Sequence, residues 1–120
     1  MGVDFSKLSG LLASFDFVDC DLELAGFSNM RLRSRQFDNC KLKDAYFLQT
    51  DLQKSDFRNS DLAGARFENC DLRQVNFVGA LNYTINPASN NLLKAKFSLP
   101  EAASFLEILG LEVVDPIEQA

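Results

Sequence analysis

The chain has 120 residues, 47% of them hydrophobic, and a formal net charge of −5. That suits one domain with a continuous core, and no apolar run is long enough to span a membrane. With no histidine, a histidine-based triad or metal site is excluded, the three cysteines lack zinc spacing, and no P-loop or glycine-rich nucleotide fingerprint occurs.

Residues 1–14 form an irregular N-terminal lead-in. Val3-Asp4-Phe5 already has the look of a repeat unit, two residues out of phase with Phe17, and an irregular SKLSGLLAS follows. No capping element or signal peptide precedes it. Three readings stay open here: a fragment of a longer chain, an internal start, or a segment that itself closes the open end.

From residue 15 to residue 80 one pattern rules. A large apolar residue recurs at every fifth place from Phe17 to Phe77, with Phe and Leu alternating throughout: Phe17, Leu22, Phe27, Leu32 and so on. Two positions before most of them stands a smaller residue, as with Ser60, Ala65, Cys70 and Val75, though Phe15 and Arg35 fill that place before Phe17 and Phe37. No helix or straight strand puts residues five apart on one face. Residues two apart, however, share a face of an extended segment. The residues between successive pairs are mostly polar, with Asn, Asp and Gly that tolerate tight-turn backbone angles. The result is a solenoid that turns a corner once per pentapeptide.

Ser60-Asp61-Leu62 and Val75-Asn76-Phe77 carry the motif that resembles the pentapeptide-repeat proteins. The resemblance implies an all-β solenoid, a right-handed quadrilateral β-helix with four pentapeptides per coil. On that plan Phe17, Phe37, Phe57 and Phe77 stack on one side and Phe27, Phe47 and Phe67 on the opposite side. The leucines form the other two stacks. Each buried Phe or Leu is worth on the order of 1.5–3 kcal/mol, so the eleven Phe are architecture and not an aromatic binding surface. Cys20 and Cys40 stack one coil apart, with Cys70 opposite. Buried free thiols fit a reducing compartment, which places the protein in the cytoplasm.

Residues 81–97 break the motif but keep the count, since Phe97 lies twenty residues after Phe77. We read LNYTINPASNNL as a coil carrying a loop, with turns at Asn86-Pro87 and Asn90-Asn91. Residues 98–110 read as a short capping α-helix, with Ser98 as N-cap, Glu101 completing a capping box and Gly110 as the stop. Leu99, Ala102, Ala103, Leu106 and Leu109 form its apolar stripe, widened to one side by Phe105 and Ile108. A solenoid needs its last coil covered, and the leftover apolar face predicts a dimer contact. Qnr-type and MfpA-type family members look similar here, and the resemblance implies a homodimer joined end to end through Leu99, Phe105, Leu106, Ile108, Leu109 and Leu111. Residues 111–120 are a tail.

No catalytic residue, cofactor site or metal site is expected, because a convex rod offers no cleft in which carboxylates could work as a pair. Repeat-position carboxylates (Asp16, Asp21, Asp51, Asp56, Asp61 and Asp71) are expected to point outward and bond to backbone at the corners. Residues 15–79 carry 11 acidic and 9 basic residues, a difference of −2. The acidic candidates, Asp16, Asp19, Asp21, Asp38, Asp56 and Asp61, fall along the Phe17 and Leu22 sides, while the Leu32 side is net positive. The resemblance implies a protein partner, gyrase or topoisomerase IV, whose DNA channel such a rod would occupy as a DNA mimic in quinolone protection. No direct nucleic-acid contact is implied. A structural or scaffolding solenoid with a mixed surface is the alternative. Arg35 stands where a small inward residue belongs. Either the coil bulges and Arg31, Arg33 and Arg35 form a basic patch, or Arg35 pairs locally.

Overall fold

The computed structural model describes residues 2–8 and 15–114. Met1 and residues 9–14, half of the irregular lead-in, and the end of the tail, residues 115–120, lie outside the described residues. The rest is a parallel β-solenoid whose rungs join residues twenty apart.

The corners explain the period. The residue two after each large one has positive φ at thirteen successive positions from Asp19 to Gly79, with values between 53° and 79°. Four of these are Asn, two are Asp and two are Gly, but Leu24, Ser34, Gln49, Lys54 and Gln74 adopt the same angle. After the leucines other than Leu32 the corner is also closed by a hydrogen bond, as where the Ala45 N–H donates to the Leu42 carbonyl at 3.0 Å. A hydrogen-bonded turn with positive φ at its third residue is the type II geometry.

Between corners the chain is extended for two or three residues. Strands β1 (Phe17–Val18) and β2 (Phe37–Asp38) pair in parallel, as do β3 (Tyr46–Leu48) with β4 (Arg66–Glu68), and β5 (Asn76–Phe77) with β6 (Lys96–Phe97). Isolated rungs such as Asp21–Lys41–Asp61–Leu81 continue the same register where no strand is formed.

Inside, the side chains stack as the period requires. Phe17, Phe37, Phe57, Phe77 and Phe97 form one ladder of parallel rings 4.8–5.3 Å apart. Phe5, Phe27, Phe47 and Phe67 form the second, at 4.8–5.0 Å. The two ladders meet edge to face at 5.5–6.0 Å, the arrangement that ring quadrupoles favour. Leu32, Leu42, Leu52, Leu62 and Leu72 are fully buried between them.

Phe5 resolves the phase difference at the N-terminus. Asp4 pairs with Gly26, and Val3 and Phe5 exchange backbone bonds with Gly26 at 2.8 Å. The first rung therefore joins residues 22 apart, and two extra residues are taken up before the regular repeats begin. Arg35 does not bulge the coil, because Gln36 still pairs with Asp56. Its side chain is half-buried and turns onto local partners, with Nε donating to the Arg33 carbonyl at 3.2 Å and Nη1 3.8 Å from Asp16.

In the last coil, Tyr83 and Ile85 are buried and Pro87, at a large position, is exposed. The C-terminal segment differs from the expected capping helix. It comprises a 3-10 turn, Glu101–Ala103, running into a helix α1, Ser104–Ile108, with no side-chain cap. Ser98 is not the N-cap: its hydroxyl accepts the Gly79 N–H at 3.0 Å and so belongs to the coil. Gly110 does stop the helix, with φ of 79° and a Schellman pair, Gly110 N–H to the Glu107 carbonyl and Leu111 N–H to that of Leu106. The expected core-facing stripe is also corrected. Leu99 and Leu109 are 82% and 67% exposed, and Phe105 covers the core instead, edge to face with Phe97 at 4.7 Å. An aromatic ring reaches the last Phe of the ladder where the leucines of so short a helix cannot also turn inward.

Candidate interaction surface

The outward positions of the coils carry the chemistry. In the stretch Asp-large-Arg, the first and third residues both point out, two apart, on one face of an extended segment. Asp56 and Arg58 meet there at 2.5 Å, and Asp71 and Arg73 at 2.6 Å. The Asp71 carboxyl is held below its ordinary value by the side-chain hydrogen bonds from Arg73, against an opposing effect of burial. For Asp56 burial pulls the other way, and the side-chain and backbone bonds from Arg58 outweigh it. Arg33 closes on Asp51 at 2.6 Å across one coil step.

The candidate carboxylates divide accordingly. Asp21, Asp56 and Asp61 each accept the N–H two residues on, from Glu23, Arg58 and Ala63. Asp16 accepts the Gln36 N–H of the next coil at 2.9 Å, and Asp19 accepts Asn39 Nδ2 at 2.8 Å. Among the described residues Asp19 and Asp38 form no ion pair within 4.0 Å. Lys41 stands between Asp21 and Asp61 in their rung. The acidic edge therefore alternates with bases, and four of its candidates, Asp19, Asp21, Asp38 and Asp61, form no ion pair among the described residues. Asp-x-Arg spacing was the sequence signal for that neutralisation.

The apolar candidates gather at the other end. Phe105 is committed to Phe97 and Tyr83, while Leu99, Leu106, Ile108, Leu109 and Leu111 are exposed. Cys20, Cys40 and Cys70 are free thiols. Cys40 and Cys70 are buried and turn toward the Phe17 and Phe47 carbonyls. Burial pushes the Cys40 thiol up to about 11 and raises that of Cys70. Among the described residues no group of three or more Cys, Asp or Glu is placed to hold a metal, and no helix is long and apolar enough to cross a membrane.

The model of the pentapeptide repeat region matches residues 9–77. The chain belongs to the pentapeptide-repeat family. No curated protein matches its sequence. Among solved structures, this pentapeptide-repeat protein is similar to trypsin-treated QnrB1, a plasmid-mediated fluoroquinolone resistance protein, with a TM-score of 0.62 at 20% identity over 83% of this chain. It is also similar to HetL of the cyanobacterium Nostoc sp. strain PCC 7120, a protein involved in heterocyst differentiation regulation, with a TM-score of 0.50 at 28% identity over 63% of this chain. The chain spans 48% of that QnrB1 chain and 33% of HetL. The QnrB1 likeness is one of fold.

Proposed function

We propose that this chain is a non-enzymatic interaction protein: a right-handed quadrilateral β-helix that presents its outer surface to a protein partner, as a homodimer in the cytoplasm. The partner we propose is a type II topoisomerase, gyrase or topoisomerase IV, with the rod acting as a DNA mimic in quinolone resistance. The observation that carries this reading is the shared fold with QnrB1 together with unpaired carboxylates at Asp19 and Asp38 on one edge. A groove built for phosphates attracts such an edge electrostatically. The exposed leucines of the C-terminal end support the homodimer, since apolar patches of this kind mark contact surfaces.

A scaffolding role without topoisomerase activity is favoured by a different observation, the neutralisation of Asp56 and Asp71 by their arginines. A gyrase supercoiling assay with and without a fluoroquinolone separates the two. Inhibition or drug protection at low micromolar protein, lost in an Asp16→Asn, Asp19→Asn, Asp38→Asn variant, supports the mimic. Indifference of gyrase to folded protein at high micromolar concentration leaves the scaffold.

A further inference from the structure

Three rungs of the solenoid run into its last coil: Asp56–Asn76–Lys96, Asp61–Leu81 and Asp71–Asn91. The fourth, Asp4–Gly26–Tyr46–Arg66, stops at Arg66. The register calls for Asn86 next. No rung forms at Asn86 among the described residues, and Pro87, which has no N–H to give, stands exposed. Two coils earlier the Phe27 N–H donates to the Tyr46 carbonyl at 2.9 Å, and the Ala25 carbonyl accepts the Tyr46 N–H at 3.0 Å. The matching groups here, the Phe67 N–H and the Ala65 carbonyl, have no backbone partner among the described residues. Phe67 and Ala65 are 4% and 6% exposed where Phe47 and Ala45 are 0%. Beside them opens a cleft of about 570 Å³, bounded by Thr84, Asn86, Ser89 and Ile108. A strand edge with an unmet donor and acceptor is a template for another strand.

The chain also holds a segment that belongs to no helix or strand. Leu111-Glu112-Val113 leaves α1 exposed, and beyond the Leu111 N–H none of its backbone groups is bonded among the described residues. As a strand, its apolar–acidic–apolar order would put two apolar side chains on one face and the carboxylate on the other. The chain's own copy is held off by the Gly110 turn, which ties Leu111 N–H back to Leu106 at 3.0 Å.

We propose that residues Leu111–Val113 of a second copy add as a parallel strand to the Ala65–Phe67 edge, with Val113 against Phe67 and Glu112 beside the exposed Arg66. Parallel pairing continues the direction of every other rung, and Glu112 would join the exposed pair that Arg66 already makes with Glu68 at 3.1 Å, a charge match that favours this register. The proposal rests on the homodimer reading and names the segment that makes it.

Sedimentation equilibrium together with residue-resolved amide exchange, using the Phe47 amide as internal reference, tests it. The expected result is a dimer in which Phe67 exchanges at least tenfold more slowly than in diluted monomer. Val113→Asp, at an exposed position, then raises the dimer dissociation constant at least tenfold and restores the monomer's rate at Phe67. Glu112→Lys weakens the dimer and Arg66→Glu added to it restores it. A wild-type dimer with fast Phe67 exchange, indifferent to Val113→Asp, overturns the pairing and leaves the homodimer standing. A monomer at every concentration overturns both, and protection of Phe67 that does not depend on concentration assigns the edge to the chain's own segment.

Discussion

The hydroxyl of Ser60 accepts the N–H of Cys40 at 3.0 Å from within the next coil, and it gives its own proton to the Phe37 carbonyl at 2.5 Å. Ser55 does the same for Arg35 and Leu32, and Asn90 for Cys70 and Phe67. The small inward positions are thus not merely spacers, because their polar members close corners of the coil beneath.

Ser60→Ala removes the partner of the Cys40 amide, the only one among the described residues, and leaves it buried. Leaving such a group unsatisfied costs about 1–3 kcal/mol. Urea unfolding should show a loss in this range, and a loss below about 0.5 kcal/mol would mean that Ser60 is a space filler.

The corner angle makes opposite predictions at two positions. Gln74 sits at φ of 60° and is exposed; left-handed backbone costs an L-residue roughly 1–2 kcal/mol, against which Gly pays about 0.5–1 in entropy. Gln74→Gly should therefore raise stability by about 0.5 kcal/mol. Gly79→Ala should lower it by at least about 1 kcal/mol, because φ there is 79° and the new Cβ would stand 2.7 Å from Asn59 Oδ1. Thermal melts of the two variants check both signs.

Acid should weaken the protein through the surface pairs. The Asp71 carboxyl is held below its ordinary value of 3.8 by the hydrogen bonds from Arg73. A lowered carboxylate contributes stability above that ordinary value and loses it as pH falls through the folded-state pKa. The melting temperature of Asp71→Asn should thus lie below wild type near neutral pH and converge with it below about pH 4. A gap that persists unchanged in acid would trace to packing instead.

The three thiols should react unequally. Cys40, pushed up to about 11 by burial, is about one part in a thousand thiolate at pH 8, and Cys70 is raised in the same direction. Cys20 is only half-buried. Iodoacetamide followed by mass spectrometry should show one early modification at Cys20, with Cys40 and Cys70 modified only once urea opens the core.

The repeat was legible because two residues in five, the large one and the small one two before it, carry nearly all the burial, so a period survives most choices at the other positions. The phenylalanine ladders and the corner carboxylates followed directly. What sequence did not disclose lies where the period lapses. Asn86-Pro87 keeps the count of residues while giving up the rung, and a count cannot register a lost hydrogen bond. Ser98 looks like a cap on local spacing, yet tertiary contact gives its hydroxyl to Gly79. The five residues of α1 are too few for an apolar stripe to say which face meets the core, and Phe105 won on reach. For the acidic edge, the positions were readable but the neutralising arginines were counted as a separate total. Placing them two residues from Asp56 and Asp71 shows that the pairs cancel locally.

Each regular rung spans the same twenty residues, so length is a free parameter of this architecture. A block of that size can be lost or duplicated within the regular region while every remaining side chain keeps the kind of neighbour it had above and below. Stability then grows by near-equal increments, as in other one-dimensional arrays. A lineage built this way can adjust the reach of its rod by copying a segment of its own gene, with the ends alone needing new sequence.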